Sequence, residues 1–385
     1  MRTLIRNVRF AGDSQPDRWV VIDGQFIDSV GQGPCPAEGI SEIVDGDGCL
    51  LMPGVIDCHV HFREPGMTQK ADIASESRAA LAGGVTSYLD MPNTMPATTS
   101  AELLQEKADI AARTSAANYG FLIGATAGNI DTLASIDYCR QAAGIKLFVG
   151  SSTGSLLVDE PCMIERVIAT APAIVAVHAE DQAIVAANIA AARERYQGHP
   201  VPLIEHSRIR SAEACAAATA RVAGLADRYQ KRVHICHIST AHELDLLGSP
   251  YVSSEVSPHH LLWCEDDYAE RGTRIKMNPS VKTAADREAL RQALRDGIID
   301  MVATDHAPHL LSDKEGDALT ATSGAPLVQF SLPVMLNMFD EPLVQRVMCE
   351  APARIYRIER RGRIAPGHYA HHALVQEPAP FHICL

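Results

Sequence analysis

The sequence predicts an α/β fold, a (β/α)8 TIM barrel with a small β-rich accessory domain built from the two termini. From Val55 onward, short apolar segments alternate with alanine-rich segments of helical period, which is typical of βα units around a parallel sheet. Eight apolar segments occur, the number that closes such a barrel. The predicted strands are Val55–His61, Thr86–Pro92, Asn118–Ala125, Gly144–Gly150, Ala173–Glu180, Arg232–Ser239, Tyr251–His260 and Ile299–His309.

The segments before and after this repeat have a different pattern. Short β-type runs at Thr3–Phe10 and Trp19–Ile22 are broken by Gly, Asp and Pro, as in a small antiparallel unit. We therefore predict that residues 1–53 and 362–385 form the accessory domain and that 54–361 form the barrel. Between the barrel strands we predict helices such as Asp72–Ala82, Ala101–Ala112 and Ser211–Tyr229.

Composition excludes several classes of protein. The 385 residues are 46% hydrophobic and 21% charged, as in ordinary globular proteins. A formal net charge of −13 argues against nucleic-acid binding, which needs clustered Lys and Arg. The ten cysteines are scattered without a CxxC pair, which indicates reduced thiols and a cytoplasmic location. No apolar run has the length of a signal peptide or membrane span, so we expect no membrane association.

Two histidines close the first predicted barrel strand. His59 and His61 stand two apart in VIDCHVH, so strand alternation sends both side chains to the same face. Two imidazoles on one face can bind one metal ion. The alternative is a pair of histidines hydrogen-bonded only to the backbone.

A lysine lies inside the fourth predicted strand. Lys146 is flanked by apolar residues in GIKLFVG, where an unpaired ammonium would be desolvated at high cost. Reaction with CO2 would convert its amine into a carbamate whose two oxygens can bridge two cations about 3.5–4 Å apart. The alternative is a lysine that extends from the strand end into water.

Two further histidines end later strands. His178 ends AIVAVHAE and His237 ends RVHICHIS, and together they supply a neutral ligand pair for a second metal. His234 lies three residues before His237, so alternation places it on the opposite face. We therefore interpret His234 as a helix-packing residue or as a residue that supports a ligand.

A carboxylate follows the eighth predicted strand. Asp305 in MVATDHAPH can contact one metal and a water that two divalent ions have activated, which suits a general acid and base. The alternative is a solvated loop aspartate.

These motifs resemble those of a known family. GVIDCHVHFREPG, LDMPNTMP, GIKLFVG, VHAE, HIS, SPHHL, KMNPS and ATDHAPH have the order and approximate spacing found in dihydroorotases of the amidohydrolase superfamily. The resemblance covers nearly the whole barrel, and the combination of HxHFREPG with DMPNTxP is its most specific part. It implies reversible cyclisation of N-carbamoyl-L-aspartate to L-dihydroorotate in pyrimidine biosynthesis.

The resemblance also implies a binuclear zinc site with two Zn2+ per chain, although geometry alone admits manganese or cobalt. His59 and His61 would bind the first zinc, His178 and His237 the second, and Lys146, as its CO2-derived carbamate, would bridge them. Asp305 would bind the first zinc and act as general acid and base toward a bridging hydroxide.

The same resemblance assigns substrate-binding residues. Arg63, Asn93 and His309 would hold the substrate carboxylate, for which a guanidinium is a suitable bidentate partner. Asn278 in KMNPS would contact the pyrimidine ring, and Gly324 in SGAPL would add backbone contacts. The expected partners are these small molecules, without nucleic acid or membrane, and a homodimer is an open alternative to a monomer.

Some positions depart from the family pattern. Ser280 and Lys282 replace a proline and an arginine, APLVQF follows Gly324, and GHYAHHALV replaces the common GxxADLV. The polar segment 309–324 is either a lid over the substrate or an ordinary surface loop. Two other functions stay open: a different cyclic amidase, such as an allantoinase or dihydropyrimidinase, and a non-catalytic scaffold subunit of similar sequence.

Overall fold

The computed structural model describes residues 1–36, 38–151 and 156–376. The predicted accessory segment 362–385 therefore lies partly outside the described residues, from 377 onward. The N-terminal part of the chain contains the strands β1 (Arg2–Val8), β2 (Arg18–Asp23), β3 (Phe26–Gln32), β4 (Glu42–Asp45) and β5 (Leu50–Pro53). Four of them form a sheet in the order β3-β2-β1-β4, while β5 pairs with a later strand.

Eight parallel strands form the second and largest sheet, in sequential order from β6 to β13. The two ends of this order approach each other, because Val60 pairs in parallel with His306 and His61 N donates to His306 O at 2.8 Å. The predicted fold class is thereby confirmed. The strands are β6 (Val55–Val60), β7 (Val85–Asp90), β8 (Asn118–Gly124), β9 (Gly144–Phe148), β10 (Val175–His178), β11 (Val233–Ile235), β12 (Val252–Val256) and β13 (Met301–Val302).

Both faces of these strands are covered. Every residue of β6, β7, β9 and β10 is buried, which explains why they read as apolar runs instead of alternating patterns. The last described strand, β14 (His372–Val375), pairs antiparallel with β5 and forms a separate two-stranded sheet. The prediction of a terminal β-rich unit is confirmed, whereas its boundaries at 53 and 362 remain our proposal.

Helices separate the barrel strands, and their ends follow local sequence signals. Thr283 and Asp286 form a capping box at the start of Ala284–Asp296, and Gly297 ends that helix with φ 75°. The helices are α1 (Ile73–Ala82), α2 (Ala101–Thr114), α3 (Pro161–Thr170), α4 (Gln182–Tyr196), α5 (Glu205–Ile209), α6 (Ala212–Tyr229), α7 (Pro258–Leu262), α8 (Tyr268–Arg271), α9 (Ala284–Asp296), α10 (Ser331–Met338), α11 (Glu341–Gln345) and α12 (Ala351–Ile355). Short 3-10 helices span Ile130–Ser135, Ala241–Leu246, Glu265–Asp267, Gly272–Ile275, Leu311–Lys314 and Val328–Phe330, and a π-helix spans Arg346–Glu350.

All eight predicted strands are longer than the observed ones, and the seventh and eighth illustrate why. The seventh ends at Val256, because Pro258 starts α7 and its ring suits the first position of a helix. The eighth contains only Met301 and Val302, and the chain turns at Asp305 with φ 50°, which is incompatible with extended backbone. Both differences lie at the carboxyl end of a strand, where the chain leaves the sheet.

Contacts divide the chain into two units. One contains Met1–Asp57, Ala79–Ser87 and the chain from Gln329 onward, and the other contains Cys58–Arg78 and Tyr88–Val328. All eleven site residues predicted from the sequence belong to the second unit. Within the described residues, no helix combines the length and apolarity needed to cross a membrane.

Candidate active site

The six predicted metal ligands lie in or just after the barrel strands. His59 is in β6 and His61 directly follows it; His178 is the last residue of β10, and Lys146 lies within β9. The remaining two lie beyond strand ends: His237 after β11 and Asp305 after β13. All are buried except Asp305, whose side chain is 17% exposed.

Left-handed backbone turns three of the predicted site residues away from the strand direction. Arg63, His237 and Asp305 have φ values of 67°, 40° and 50°, which non-glycine residues seldom adopt. Such conformations cost of the order of 1–3 kcal/mol and are maintained by the surrounding structure. Because His237 lies beyond its strand and has this conformation, simple alternation along β11 does not determine where its side chain points.

The first histidine pair faces the Asp305 carboxylate. Asp305 Oδ1 lies 2.9 Å from His61 Nε2 and 3.3 Å from His59 Nε2. On the other side of the rings, His59 Nδ1 lies 2.5 Å from Glu255 Oε1 and His61 Nδ1 lies 2.7 Å from Asn93 Oδ1. These oxygens accept Nδ1 protons, so the tautomer that they favour directs both Nε2 atoms toward Asp305.

The second pair is equally compact. His178 Nδ1 lies 2.9 Å from His237 Nε2, and the two ring centroids are 4.8 Å apart. Glu180 accepts from His178 Nε2 at 3.0 Å, which leaves Nδ1 as the ring nitrogen that could bind a metal ion. Among the described residues, no hydrogen-bond partner contacts His237 Nδ1. The His59 and His237 rings are 5.5 Å apart, so the two pairs are neighbours.

Lys146 lies beside both histidine pairs. Its side chain is fully buried, and its Nζ donates to Cys236 Sγ at 3.0 Å and lies 5.1 Å from the Phe148 ring centroid. Its positive charge also acts to lower the pKa values of one histidine of the first pair and both of the second. Lys146 is therefore a buried cation whose charge acts on the histidine rings.

Burial and neighbouring charges give these groups unusual proton affinities. Burial and Lys146 act to lower the pKa of His59, but the carboxylates of Glu255 and Asp305 outweigh them and raise it to about 10. Burial lowers the pKa of His61 to about 4. Although burial opposes ionisation, His59 and His61 hold the pKa of the Asp305 carboxyl well below its ordinary range. Asp305 is therefore an anion that a bound cation would stabilise.

Part of this donor set can hold a divalent cation. The ligand atoms of His59, His61 and Asp305 lie within 4.8 Å of one another, as a shared metal ion requires. A second group, His59, Cys236 and Glu255, satisfies the same criterion and contains a thiol. Nitrogen and carboxylate donors of this kind suit zinc, and a site between two such ions can activate water for hydrolysis.

Three predicted substrate-binding residues form a polar cluster beside the first histidine pair. Arg63 is 2% exposed; its Nε donates to Pro308 O at 3.1 Å, and its Nη2 lies 3.1 Å from His309 Nε2. Asn93 joins this cluster to the first histidine pair through its contact with His61. Burial lowers the pKa of Arg63 to about 10, against the opposing effect of nearby carboxylates. The guanidinium therefore remains cationic at neutral pH.

Gly324 packs directly against His309. With φ 133°, a Cβ at this position would lie 2.8 Å from His309 Nε2 and 2.9 Å from the Ala307 Cβ. Its N–H donates to Lys276 O and its carbonyl accepts from Lys314, so both backbone groups already have partners within the chain. The glycine therefore permits close packing behind the histidine ring.

Asn278 is half-buried and carries an unsatisfied acceptor. Among the described residues, no hydrogen-bond donor reaches its Oδ1, although that atom is buried. A buried amide oxygen without a donor is costly and is suited to receiving a ligand N–H.

The segment 309–324 is held to the barrel by a buried lysine. Lys314 Nζ donates to the carbonyl oxygens of Lys276, Thr322 and Gly324 at 3.0, 2.8 and 2.8 Å. Asp317 accepts from Val201 N at 2.8 Å. These contacts favour an ordered loop over a mobile lid.

Two departures from the family pattern are joined in one hydrogen-bond network. Lys282 Nζ donates to Ser280 Oγ at 2.9 Å, and Ser280 Oγ donates to Arg210 O at 3.0 Å. Arg210 in turn forms a buried ion pair with Glu180, the residue that contacts His178. Ser280 and Lys282 therefore support the second histidine pair through Arg210 and Glu180.

Several residues of the site were not predicted from the sequence. Glu255 contacts His59 and also His234, whose Nε2 lies 3.1 Å from Glu255 Oε2. His234 therefore supports the first histidine pair through Glu255. The sequence signal for Glu255 was a lone carboxylate in the otherwise uncharged strand segment YVSSEVS. Glu180, the glutamate of VHAE, carried a similar signal. Lys70, at the polar cluster, had no comparable signal.

Comparison with known proteins identifies related sequences. The sequence pattern described as the Amidohydrolase family matches residues 50–381. A Halobacterium salinarum protein named dihydroorotase is 36% identical, and the match covers 93% of this chain and 83% of that protein. A Pelobacter propionicus protein of the same name is 32% identical, and the match covers 99% of this chain and 91% of that protein. A Bacillus velezensis protein named allantoinase is 32% identical over 91% of this chain and 79% of its own.

The fold of the chain also matches solved structures. An L-hydantoinase from Arthrobacter aurescens superposes with a TM-score of 0.89 at 24% identity, covering 96% of this chain and 85% of that chain. At this identity the likeness shows the fold alone. The sequence match over residues 50–381 and the relatives above 30% identity establish more than the fold: the chain belongs to the amidohydrolase family.

Proposed function

We propose that this hydrolase is a dihydroorotase, which cyclises N-carbamoyl-L-aspartate to L-dihydroorotate reversibly. The relatives named dihydroorotase support this choice, while the relative named allantoinase keeps a second cyclic amide in consideration. The two substrates differ, because dihydroorotate carries a carboxylate on its ring and allantoin does not.

The buried guanidinium of Arg63 is the observation that favours the carboxylate-bearing substrate. Among the described residues, no carboxylate lies within ion-pair distance of Arg63, and its contacts are the Pro308 carbonyl and the His309 ring. An unpaired buried cation is expensive, and binding an anion removes that cost. Allantoin and dihydrouracil carry no carboxylate for this position.

Six residues would hold two zinc ions. His59, His61 and Asp305 would bind one ion, His178 and His237 the other, and Lys146 as its carbamate would be shared. When bound, the ions polarise the amide carbonyl and lower the pKa of a water molecule.

The protein residues then provide orientation and proton transfer. Arg63, Asn93 and His309 hold the carboxylate, while Asn278 Oδ1 accepts from a ring N–H. In ring opening, Asp305 takes a proton from water and passes it to the departing amide nitrogen. In cyclisation, Asp305 takes the proton from that nitrogen and returns it to the departing water.

Turnover of three substrates tests the proposal. We expect the zinc-loaded protein to hydrolyse L-dihydroorotate with a kcat/KM at least about 100-fold above that for allantoin and dihydrouracil, since binding of the carboxylate contributes the difference. Arg63→Met should reduce this preference. Activity on allantoin or dihydrouracil alone would refute the assignment, and a metal-free, inactive protein at neutral pH would favour a scaffold role.

The carbamate needs a separate measurement. We expect a 13C resonance from labelled bicarbonate that is present in the wild type and absent in Lys146→Ala, together with near two zinc ions per wild-type chain. A wild-type protein that binds two zinc ions without incorporating label would contradict the bridging role of Lys146.

A further inference from the structure

Lys70 lies on the outer side of the His309 ring, in the same loop as Arg63. Its Nζ lies 3.1 Å from His309 Nδ1 and 3.2 Å from Asp313 Oδ2. The loop backbone fixes this arrangement, because Met67 N donates to Arg63 O at 3.0 Å and Lys70 N donates to Met67 O at 2.9 Å. The side chain is 21% exposed, so its ammonium is partly shielded from water.

The ammonium determines which ring nitrogen of His309 carries the proton. An ammonium has three donors and no acceptor, so the Nδ1 atom that it contacts must accept. A neutral His309 then carries its proton on Nε2, where Ser323 O accepts it at 3.0 Å. Burial, followed by the charges of Arg63, Lys70 and Lys314, lowers the pKa of His309 to about 3, which agrees with a neutral ring.

This tautomer changes the contact between His309 and Arg63. His309 Nε2 and Arg63 Nη2 are 3.1 Å apart, and with a proton on Nε2 both atoms are donors. In the substrate-free chain the Nε2–H donates to Ser323 O; a carboxylate oxygen placed between His309 Nε2 and Arg63 Nη2 would compete with Ser323 O for that proton and accept from both donors. With the proton on Nδ1, His309 Nε2 would instead accept from Arg63 and occupy that donor.

We infer that Lys70 is a positioning and specificity-determining residue: by donating to His309 Nδ1, it makes His309 and Arg63 a pair of donors for the substrate carboxylate. Asp313 keeps the Lys70 ammonium in place from the loop that follows the barrel's last strand. This inference rests on the proposed function for the identity of the anion, but the tautomer of His309 does not depend on it.

The test compares Lys70→Met and Lys70→Arg with the wild type. Lys231→Met is a matched control, because Lys231 Nζ donates to Ala171 O at 3.0 Å just before β11, at the amino-terminal end of the strand. In 15N-histidine-labelled protein, with the resonance assigned through His309→Gln, we expect the Nε2–H tautomer in the wild type and in Lys231→Met. Lys70→Met should shift it toward Nδ1–H, and Lys70→Arg should restore it at least in part.

Kinetics provide the second measurement. Lys70→Met should raise the KM for L-dihydroorotate about 10- to 100-fold and change kcat by less than about threefold, as loss of a carboxylate contact predicts. Residual turnover of dihydrouracil should be unchanged, because that ring has no carboxylate. A wild-type ring protonated on Nδ1, or a Lys70→Met ring with an unaltered tautomer, would overturn the inference whatever the KM. Failure of the dihydroorotase assignment would instead appear as absence of wild-type activity on L-dihydroorotate.

Discussion

Glu255 Oε1 lies 2.5 Å from Nδ1 of His59, and both side chains are almost completely buried. The carboxylate comes from the seventh barrel strand and the histidine from the first. A carboxylate in this position fixes the orientation of the imidazole and increases its strength as a metal ligand. Burial opposes ionisation, but His59 and His234 hold the pKa of Glu255 well below its ordinary range.

Glu255→Gln should therefore weaken metal binding without unfolding the barrel. Loss of a carboxylate behind a histidine ligand typically reduces metal affinity by about 10- to 100-fold. Competition with a zinc chelator would measure this change. Glu165→Gln, which alters a carboxylate outside the site, is the control. Equal zinc affinity in Glu255→Gln and in the control would contradict the role of Glu255.

Asp305→Asn should separate metal binding from proton transfer. The amide keeps an oxygen ligand for the metal but cannot carry a proton between water and nitrogen, so turnover should fall by about 10²- to 10⁴-fold. Zinc content and kcat, measured on the same preparation, check this expectation. Near-normal turnover would refute the acid–base role of Asp305, and complete loss of zinc would show that it acts mainly as a ligand.

The sequence predicted the histidines of the candidate site but not the residues that hold them in place. His59 and His61 follow from alternation, which is a local rule. Glu255 is 196 residues from His59 along the chain, and no local pattern indicates that the barrel brings the two together. Asp305 was selected because it follows an apolar run, and His237 was chosen over His234 by strand alternation. Both residues, however, have left-handed backbone, which side-chain patterning does not reveal.

The seventh and eighth strands show a related limit. A run such as YVSSEVSPHH predicts an apolar buried segment, but the chain leaves the sheet at Val256. Where a barrel strand ends depends on its neighbours, because each residue needs a paired strand to satisfy its backbone groups. The number and order of the strands were therefore predictable, while their exact ends, and with them the site geometry, were not.

Removal of one buried charge should destabilise the barrel strongly. Lys107 and Asp90 form an ion pair with Nζ to Oδ2 at 2.6 Å, and neither side chain is exposed. Lys107 Nζ also donates to Met91 O at 2.8 Å, and Asp90 Oδ1 accepts from Phe62 N at 2.8 Å, directly after His61. Lys107→Met would leave a buried carboxylate unpaired, with an expected loss of about 3–5 kcal/mol in the free energy of unfolding.

Urea denaturation would measure that loss. The double variant Asp90→Asn/Lys107→Met is the internal control, because it removes both charges and keeps an oxygen for Phe62 N. We expect it to be more stable than Lys107→Met alone. If the double variant is no more stable than the single one, the unpaired Asp90 carboxylate does not explain the loss of stability.

Glu243 should make stability depend on pH near neutrality. The carboxyl is 2% exposed; it accepts from Thr219 Oγ1 at 2.8 Å and from Ser239 N at 3.1 Å. Burial raises its pKa to about 7 from an ordinary 4.5, although these contacts and Lys282 partly oppose the rise. The folded state therefore binds this proton more tightly than the unfolded state. Its stabilising effect is complete below pH 4.5 and is lost as the pH rises through about 7.

Glu243→Gln imitates the protonated carboxyl, since its amide can donate to Thr219 Oγ1 while its oxygen accepts from Ser239 N. The variant should be as stable as the wild type near pH 4.5 and more stable at pH 8, by an amount of the order of 3 kcal/mol, since each pKa unit corresponds to about 1.4 kcal/mol. Unfolding by urea from pH 5 to 8 at fixed free zinc would measure the difference, and subtraction cancels the contribution of the histidines. Parallel pH curves for the two proteins would show that Glu243 does not titrate in this range.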